Sequence, residues 1–137
     1  MKKLLLVILA LLLVSCAAPA PQKTEITLTI NDDFKFNPPS ITVPADQAVV
    51  LTIKNNSNLE HDFAIQKISV KDVVMQDDGM KMDHDMAGMN YDLHLATMAG
   101  QTNVITFTPV NAGTYEFLCT IKGHKEAGMS GTLIVTK

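Results

Sequence analysis

Three side chains that bind soft metal ions lie close together near the carboxyl-terminal end of the chain. Cys119, His124 and Met129 form a C-x4-H-x4-M pattern within a single short run. Thiolate and thioether sulfur suit the cuprous ion, whereas imidazole suits both oxidation states of copper. Two histidines, one cysteine and a distant axial methionine together make a compromise ligand set for both states. The pattern therefore predicts a copper site that still needs one more histidine.

The missing ligand must come from a distant part of the chain, because one loop cannot surround a metal ion. His61 is the candidate, since it follows the polar, turn-like residues 55–58 and opens the apolar segment 61–65. It should therefore lie at the start of a strand, beside a loop. Taken alone, such a histidine is more often a surface or hydrogen-bonded residue, and a lone methionine before a glycine-rich turn usually packs in a core. The four residues together favour ligation.

The elements that must position these residues are β-strands. Residues 25–30 alternate apolar and polar side chains with a period of two, so Ile26, Leu28 and Ile30 share one face. Similar patterns recur at residues 41–43, 49–53, 104–108, 114–118 and 132–135. Short strands separated by turn signals, without long helical periods, predict an all-β, two-sheet antiparallel sandwich. Its loops gather at one end, so the loops carrying His61 and Cys119 can meet there.

The amino terminus is predicted to be a targeting segment. Lys2 and Lys3 precede the apolar run 4–14, which is too short to span a bilayer but suits the core of a signal peptide. The run ends in Leu-Val-Ser-Cys, which resembles a bacterial lipobox, so residues 1–15 are read as the signal peptide and Cys16 as the lipidated residue. The alternative is ordinary secretory cleavage, which would leave Cys16 as a free thiol or a disulfide partner.

These boundaries define the rest of the chain and its location. We expect residues 16–24 to form a lipidated cysteine with a short tether to the membrane, and residues 25–137 to form one domain outside the cytoplasm. Two cysteines in an oxidising compartment would normally suggest a disulfide, but a lipidated Cys16 cannot pair with Cys119. Cys119 is then a lone thiol, which favours metal ligation.

Composition limits the remaining classes. The 137 residues are 47% hydrophobic and 18% charged, enough for one small domain. The formal net charge is −3 and there is no tryptophan, so a nucleic-acid partner would find neither positive charge nor many stacking surfaces.

The carboxyl-terminal run resembles the signature of the cupredoxins, the plastocyanin and azurin family. The resemblance rests on Gly113 to Cys119, Gly123-His124 and Gly128 to Leu133, supported upstream by Phe36-Asn37-Pro38 and the Asn58-x-x-His61 region. The ligand spacing is closest to that of auracyanin-like and rusticyanin-like members. The resemblance implies a Greek-key β-sandwich and a mononuclear type 1 copper ion.

Carried over to this chain, the resemblance implies particular roles. His61 and His124 would be the imidazole ligands, Cys119 the thiolate and Met129 the axial thioether. The protein would pass single electrons between redox proteins that dock near the solvent-facing edge of His124, and it would have no small-molecule substrate. An enzyme is not expected, because multicopper oxidases need His-x-His pairs and a dinuclear copper centre needs a second cysteine near Cys119.

Two positions depart from the family pattern. Asp62 stands where many members have asparagine, whose side chain ties the ligand loops together; a carboxylate can accept such hydrogen bonds but cannot donate them. Lys122 stands where many members have proline. Both changes concern the tuning of the site rather than its ligands.

A methionine-rich segment, residues 75–98, interrupts the family pattern. It also contains His84 and His94 and several aspartates. Thioethers bind cuprous copper without losing a proton, so the segment could hold further copper. The candidate secondary ligands are Met80, Met82, His84, Met86 and Met89. The alternatives are a mobile loop or partner-contact surface, and a short amphipathic helix that packs its methionines on the sandwich.

Two functions remain open at this point. One is a membrane-anchored electron carrier. The other is an extracytoplasmic copper-binding or copper-trafficking lipoprotein that works through the methionine-rich segment.

Overall fold

The structure is a computed structural model that describes residues 22–76 and 90–137. The predicted signal peptide 1–15, the lipidation site Cys16 and the five candidate secondary copper ligands lie outside the described residues. Within the described ranges, no helix is both long and apolar enough to cross a membrane.

The described residues form ten β-strands in two sheets. The strands are β1 (Lys23–Ile30), β2 (Phe36–Asn37), β3 (Ser40–Pro44), β4 (Ala48–Asn55), β5 (His61–Ile65), β6 (Val70–Gln76), β7 (Leu93–Thr97), β8 (Thr102–Pro109), β9 (Gly113–Leu118) and β10 (Ser130–Thr136). One sheet has the order β2-β1-β4-β8-β6 and the other the order β3-β10-β9-β5-β7. The predicted all-β sandwich is confirmed.

The core lies between the two sheets, as the alternation predicts. Leu28 and Ile30 are fully buried and Ile26 is partly buried against them. The rings of Phe36, Phe63 and Phe117 pack in the same core, with Phe117 5.2 Å from each of the other two centroids. Phe117 belongs to β9 and lies two residues before Cys119, so this aromatic cluster packs against the strand that leads into Cys119.

The expectation of a purely antiparallel sandwich is wrong for two strand pairs. β1 pairs with β4 in parallel, and β10 pairs with β3 in parallel. For β1 and β4 the cause is the connection between them. After β1 and β2 the chain crosses to the second sheet to form β3 and then returns to the first sheet as β4. A strand that returns after such a crossover can run in the same direction as the strand it left.

Three strands, β2, β6 and β7, were not predicted from the sequence. All five residues of β7 are buried and six of the seven residues of β6 are exposed, so neither strand shows a two-residue pattern. The segment 75–98 therefore contains strand residues at both ends, and its central part, 77–89, lies outside the described residues. His94, grouped in sequence with that segment, is instead a buried residue of β7.

The fold brings the two predicted ligand loops to one end of the sandwich. β4 ends at Asn55 and the next strand begins at His61, while β9 ends at Leu118 and β10 begins at Ser130. Ala64 in β5 lies opposite Leu118 in the antiparallel β9. Because the two strands run in opposite directions, the start of β5 and the end of β9 extend to the same edge.

Candidate metal centre

Three of the four predicted ligands converge at this end. One nitrogen each of His61 and His124 and the sulfur of Cys119 all lie within 4.8 Å of one another. His61 and Cys119 are each 1% exposed, whereas His124 is only half-buried. Met129, the fourth, is fully buried in the core cluster beside them.

One ring nitrogen of His61 lies within hydrogen-bond distance of a side chain, and the other has no hydrogen-bond partner among the described residues. Nε2 lies 2.8 Å from Ser57 Oγ, which itself lies 2.8 Å from Asn55 Oδ1. If the Ser57 hydroxyl donates to Asn55, it accepts from Nε2–H, and Nδ1 then carries the lone pair. Nδ1 is buried without a hydrogen-bond partner among the described residues. A buried imidazole nitrogen costs free energy unless it is satisfied, so this atom fits a metal ligand.

The His61 loop is held in place by a buried amide. Asn55 is 1% exposed, and its Nδ2 donates to the carbonyls of Leu59 at 2.7 Å, Thr97 at 2.9 Å and Met98 at 3.1 Å. Its Oδ1 accepts from the backbone N–H of Ser57 at 3.0 Å. Sequence reasoning placed Asn55 and Ser57 in a polar turn and missed this role. The signal was their position immediately before a candidate ligand.

The sulfur of Cys119 lies beside backbone N–H groups and the His124 ring. The backbone N–H of Asp62 donates to Sγ at 3.4 Å, and His124 Nδ1 lies 3.3 Å from it. Burial raises the pKa of the Cys119 thiol, and hydrogen bonds from the backbone of Asp62 and Ile121 partly oppose that rise. Since the thiolate is the metal ligand, binding of a metal ion must displace the thiol proton.

The pKa of His61 is lowered, whereas that of Cys119 is raised. Burial, and then the neighbouring His124, lower the pKa of the His61 imidazole. The neutral ring is the form that binds metals. His61 therefore keeps its neutral form to lower pH than an ordinary histidine does.

The turn from Cys119 to Met129 is closed by its own backbone. Cys119 N–H donates to Met129 O at 3.1 Å, and Met129 N–H donates to His124 O at 3.0 Å. Gly123 and Gly128 adopt φ values of 88° and 101°, a region that side chains disfavour. The two glycines thus allow the chain to reverse tightly enough for the His124 ring to come back to the Cys119 sulfur and for the backbone of Met129 to pair with that of Cys119.

Asp62 ties the two ligand loops together in spite of its carboxylate. Thr120 Oγ1 donates to Asp62 Oδ2 across the loops. His94 Nε2 also lies 3.3 Å from Asp62 Oδ2, and both of these side chains are 7% exposed. Thr120 therefore supplies a hydrogen bond that the carboxylate can accept, and the His94 ring lies close to the same oxygen. Sequence reasoning missed His94 because it assigned this residue to the methionine-rich segment.

Lys122, the other departure, is exposed on the turn, one residue before Gly123. It follows Ile121, which packs against the core, so the turn is anchored from that side without a proline.

The sequence matches a known protein family along almost all of its described length. The matching model is that of copper binding proteins of the plastocyanin/azurin family, and the match covers residues 22–136. It includes both ligand loops and all ten strands.

Individual relatives agree with this match. The chain is 31% identical over 116 residues to the copper-resistant cuproprotein CopI of Rubrivivax gelatinosus, covering 85% of this chain and 68% of that protein. It is 30% identical over 132 residues to auracyanin-B of Chloroflexus aurantiacus, covering 85% of this chain and 53% of that protein.

A solved structure supports the fold. The reduced auracyanin of Roseiflexus castenholzii superposes with a TM-score of 0.64 at 24% identity, covering 83% of this chain and 98% of that one. With the match to the family model and the donor set at one end of the sandwich, it follows that this chain is a copper-binding cupredoxin of the plastocyanin/azurin family.

Proposed function

We propose that this protein is a membrane-anchored type 1 copper protein that carries single electrons between redox partners. The proposed ligands are His61, Cys119 and His124, with Met129 as the axial thioether. The observation that carries the proposal is the convergence of three donor atoms, one each from His61, Cys119 and His124, within 4.8 Å of one another. The buried Nδ1 of His61, which has no hydrogen-bond partner among the described residues, supports it. Copper bound there would supply a one-electron redox couple.

The rest of the chain contributes a fixed geometry. The Asn55 and Ser57 side chains hold His61, the backbone of the turn holds Met129, and the N–H of Asp62 points at the sulfur of Cys119. Ligands held in one arrangement need little rearrangement when an electron arrives or leaves. This property favours electron transfer over a site that captures and releases metal.

The surface around His124 supports a docking role. Gly123, Ala127 and Gly128 are exposed beside the half-buried ring, and Leu59 on the His61 loop is 49% exposed. Small and apolar exposed residues let a partner approach the ring edge closely and release water there. We propose that redox proteins dock on this surface and that the protein transforms no substrate of its own.

The first test concerns the ligand set. Cys119→Ser should abolish the intense visible absorption of the cupric protein, because that absorption comes from thiolate-to-copper charge transfer. Met129→Leu should keep the colour and raise the reduction potential, because a weak donor to copper is lost. Both variants can be loaded with cupric copper and measured by absorption spectroscopy and voltammetry. A colourless complex of the parent protein would contradict the type 1 assignment.

The second test concerns docking. Ala127→Asp places a charge on the proposed surface and should slow electron self-exchange roughly threefold to tenfold at low ionic strength, because like charges then face each other in the encounter. Val110→Asp is the matched control, since Val110 is also apolar and exposed but follows β8 at the opposite end. Self-exchange rates are measured by NMR line broadening in mixtures of the two oxidation states. Equal rates in the two variants would contradict docking on the surface around His124.

A second candidate function is extracytoplasmic copper binding or trafficking through the methionine-rich segment. It is supported by the relative described as a copper-resistant cuproprotein and by the Met/His pattern of residues 80–89. The proposed secondary ligands are Met80, Met82, His84, Met86 and Met89.

The two functions predict different copper stoichiometries. The test variant replaces the four methionines with leucine and His84 with glutamine, which retains the chain length and leaves the strand residues Gln76 and Leu93 intact. The carrier function predicts one tightly bound copper in both the parent and this variant. Additional cuprous copper in the parent alone, measured by chelator competition, would establish the handling function.

Anchoring through Cys16 and a location outside the cytoplasm belong to the same proposal. They are supported by the Leu-Val-Ser-Cys run after the apolar segment. Cys16→Ser should move the protein from the membrane fraction to the soluble fraction of cells and abolish labelling with radioactive palmitate. Retention of the label in this variant would contradict lipidation at Cys16.

A further inference from the structure

Phe34 has a backbone conformation that is unusual for a bulky residue. It lies between β1 and β2 with φ of 56°, in the left-handed region. Such a conformation is rare for side chains other than glycine, asparagine and aspartate, and it persists only where the surroundings impose it. The ring is half-buried and packs against the hydrophobic core.

The Phe34 ring contacts both candidate imidazole ligands. Its centroid lies 4.9 Å from that of His124, at an interplanar angle of 74°, and 6.0 Å from that of His61, at 81°. The two imidazole centroids are themselves 5.0 Å apart. Both contacts have the edge-to-face geometry that aromatic pairs prefer. The three rings form a closed triangle.

The segment that carries Phe34 is tied to the loop that carries His61. Asn56 N–H donates to Ile30 O at 2.8 Å, and Asn56 Nδ2 donates to Asn31 Oδ1 at 3.2 Å. Asn58 N–H donates to Asp32 Oδ1 at 3.2 Å. These hydrogen bonds join the segment before Phe34 to the loop before His61, so the positions of Phe34 and His61 are fixed relative to each other.

The two imidazoles differ in how they are held. His61 is buried, with Ser57 against its Nε2, whereas His124 is half-buried on a turn whose neighbouring residues are exposed. His124 is thus the ligand that most needs lateral support. Phe34 contacts it at the shorter of the two distances, from a separately anchored segment.

We propose that Phe34 is a positioning residue for the metal centre. Its ring holds the His124 imidazole beside that of His61 before metal binds, and it opposes outward rotation of His124 afterwards. The proposal rests on the ligand assignment made under the proposed function. It adds that the ligand pair is assembled by a third ring, which itself binds no metal.

The experiment compares variants that keep or remove the ring. Phe34→Tyr keeps it, Phe34→Leu removes it with little loss of apolar volume, and Phe34→Asn removes it while suiting the left-handed backbone. Phe107→Leu is the matched control, because it makes the same chemical change in the core toward the opposite end of the first sheet. If the leucine variant does not fold, the asparagine variant decides.

The first measurement uses the metal-free protein. Amide hydrogen exchange at Ala127 and Met129, whose N–H groups close the His124 turn, should become at least about threefold faster in the leucine and asparagine variants. The tyrosine variant and Phe107→Leu should stay within about twofold of the parent at these two amides relative to global exchange. Unchanged exchange without the ring would overturn the proposal.

The second measurement uses the copper-loaded, reduced protein. Loss of copper to a strong cuprous chelator should be about threefold to tenfold faster without the ring, because aromatic pairs contribute modestly to the bound state. Rates equal to the parent, or the same increase in Phe107→Leu, would also overturn the proposal. A parent that lacks the charge-transfer colour would contradict the ligand assignment instead, and the exchange measurement would still test Phe34.

Discussion

The alignment of β5 with β9 is the constraint on which the metal centre depends. Ala64 lies opposite Leu118, and the antiparallel direction then brings residues 61 and 62 alongside the residues that follow β9. Side chains alternate between the two faces of a sheet, so Phe63 and Phe117 point into the core together. His61 and Cys119 lie two residues from Phe63 and Phe117 and share this inward face, and both are buried. A shift of one residue in the register between β5 and β9 would turn the Cys119 thiol to the opposite face of the sheet and separate it from His61.

The outer face of the same strands secures this alignment. Asp62 accepts a hydrogen bond from Thr120 and lies beside His94, so its carboxylate joins β5, β7 and the turn after β9. A buried carboxylate is costly unless donors surround it. Here Thr120, in the turn after β9, is such a donor, and the His94 ring of β7 lies 3.3 Å from the same carboxylate. The same residue thus contributes its backbone N–H to the Cys119 sulfur and its side chain to the link between loops.

Preorganisation also bears on the choice between the two functions. The ligand turn is closed by backbone hydrogen bonds and the His61 loop by a buried asparagine, so ligand geometry is set by the protein. Such a site is suited to electron transfer, where a constant geometry is an advantage. Copper exchange instead needs ligands that can open. If this protein also handles copper, we expect the exchange to involve residues other than these four.

The sequence by itself determined the fold class and the local chemistry. Period-two alternation marked strands such as β1 and β4, and the C-x4-H-x4-M pattern marked Cys119 and Met129, because both signals lie between residues close in the chain. It could not reveal β7, whose five residues are all buried and so show no alternation.

Only the tertiary structure decided what surrounds the ligands. His94, Ser57 and Phe34 reach the site from different loops and strands. Ser57 was marked only by its position before a candidate ligand, and nothing in the local sequence distinguishes His94 from a solvent-exposed histidine or Phe34 from a core phenylalanine. Their roles depend on register and on contacts between residues far apart in the chain. The sequence therefore specified which atoms could bind copper, whereas the packing of the two sheets decided how those atoms are held, because orientation arises only when distant segments meet.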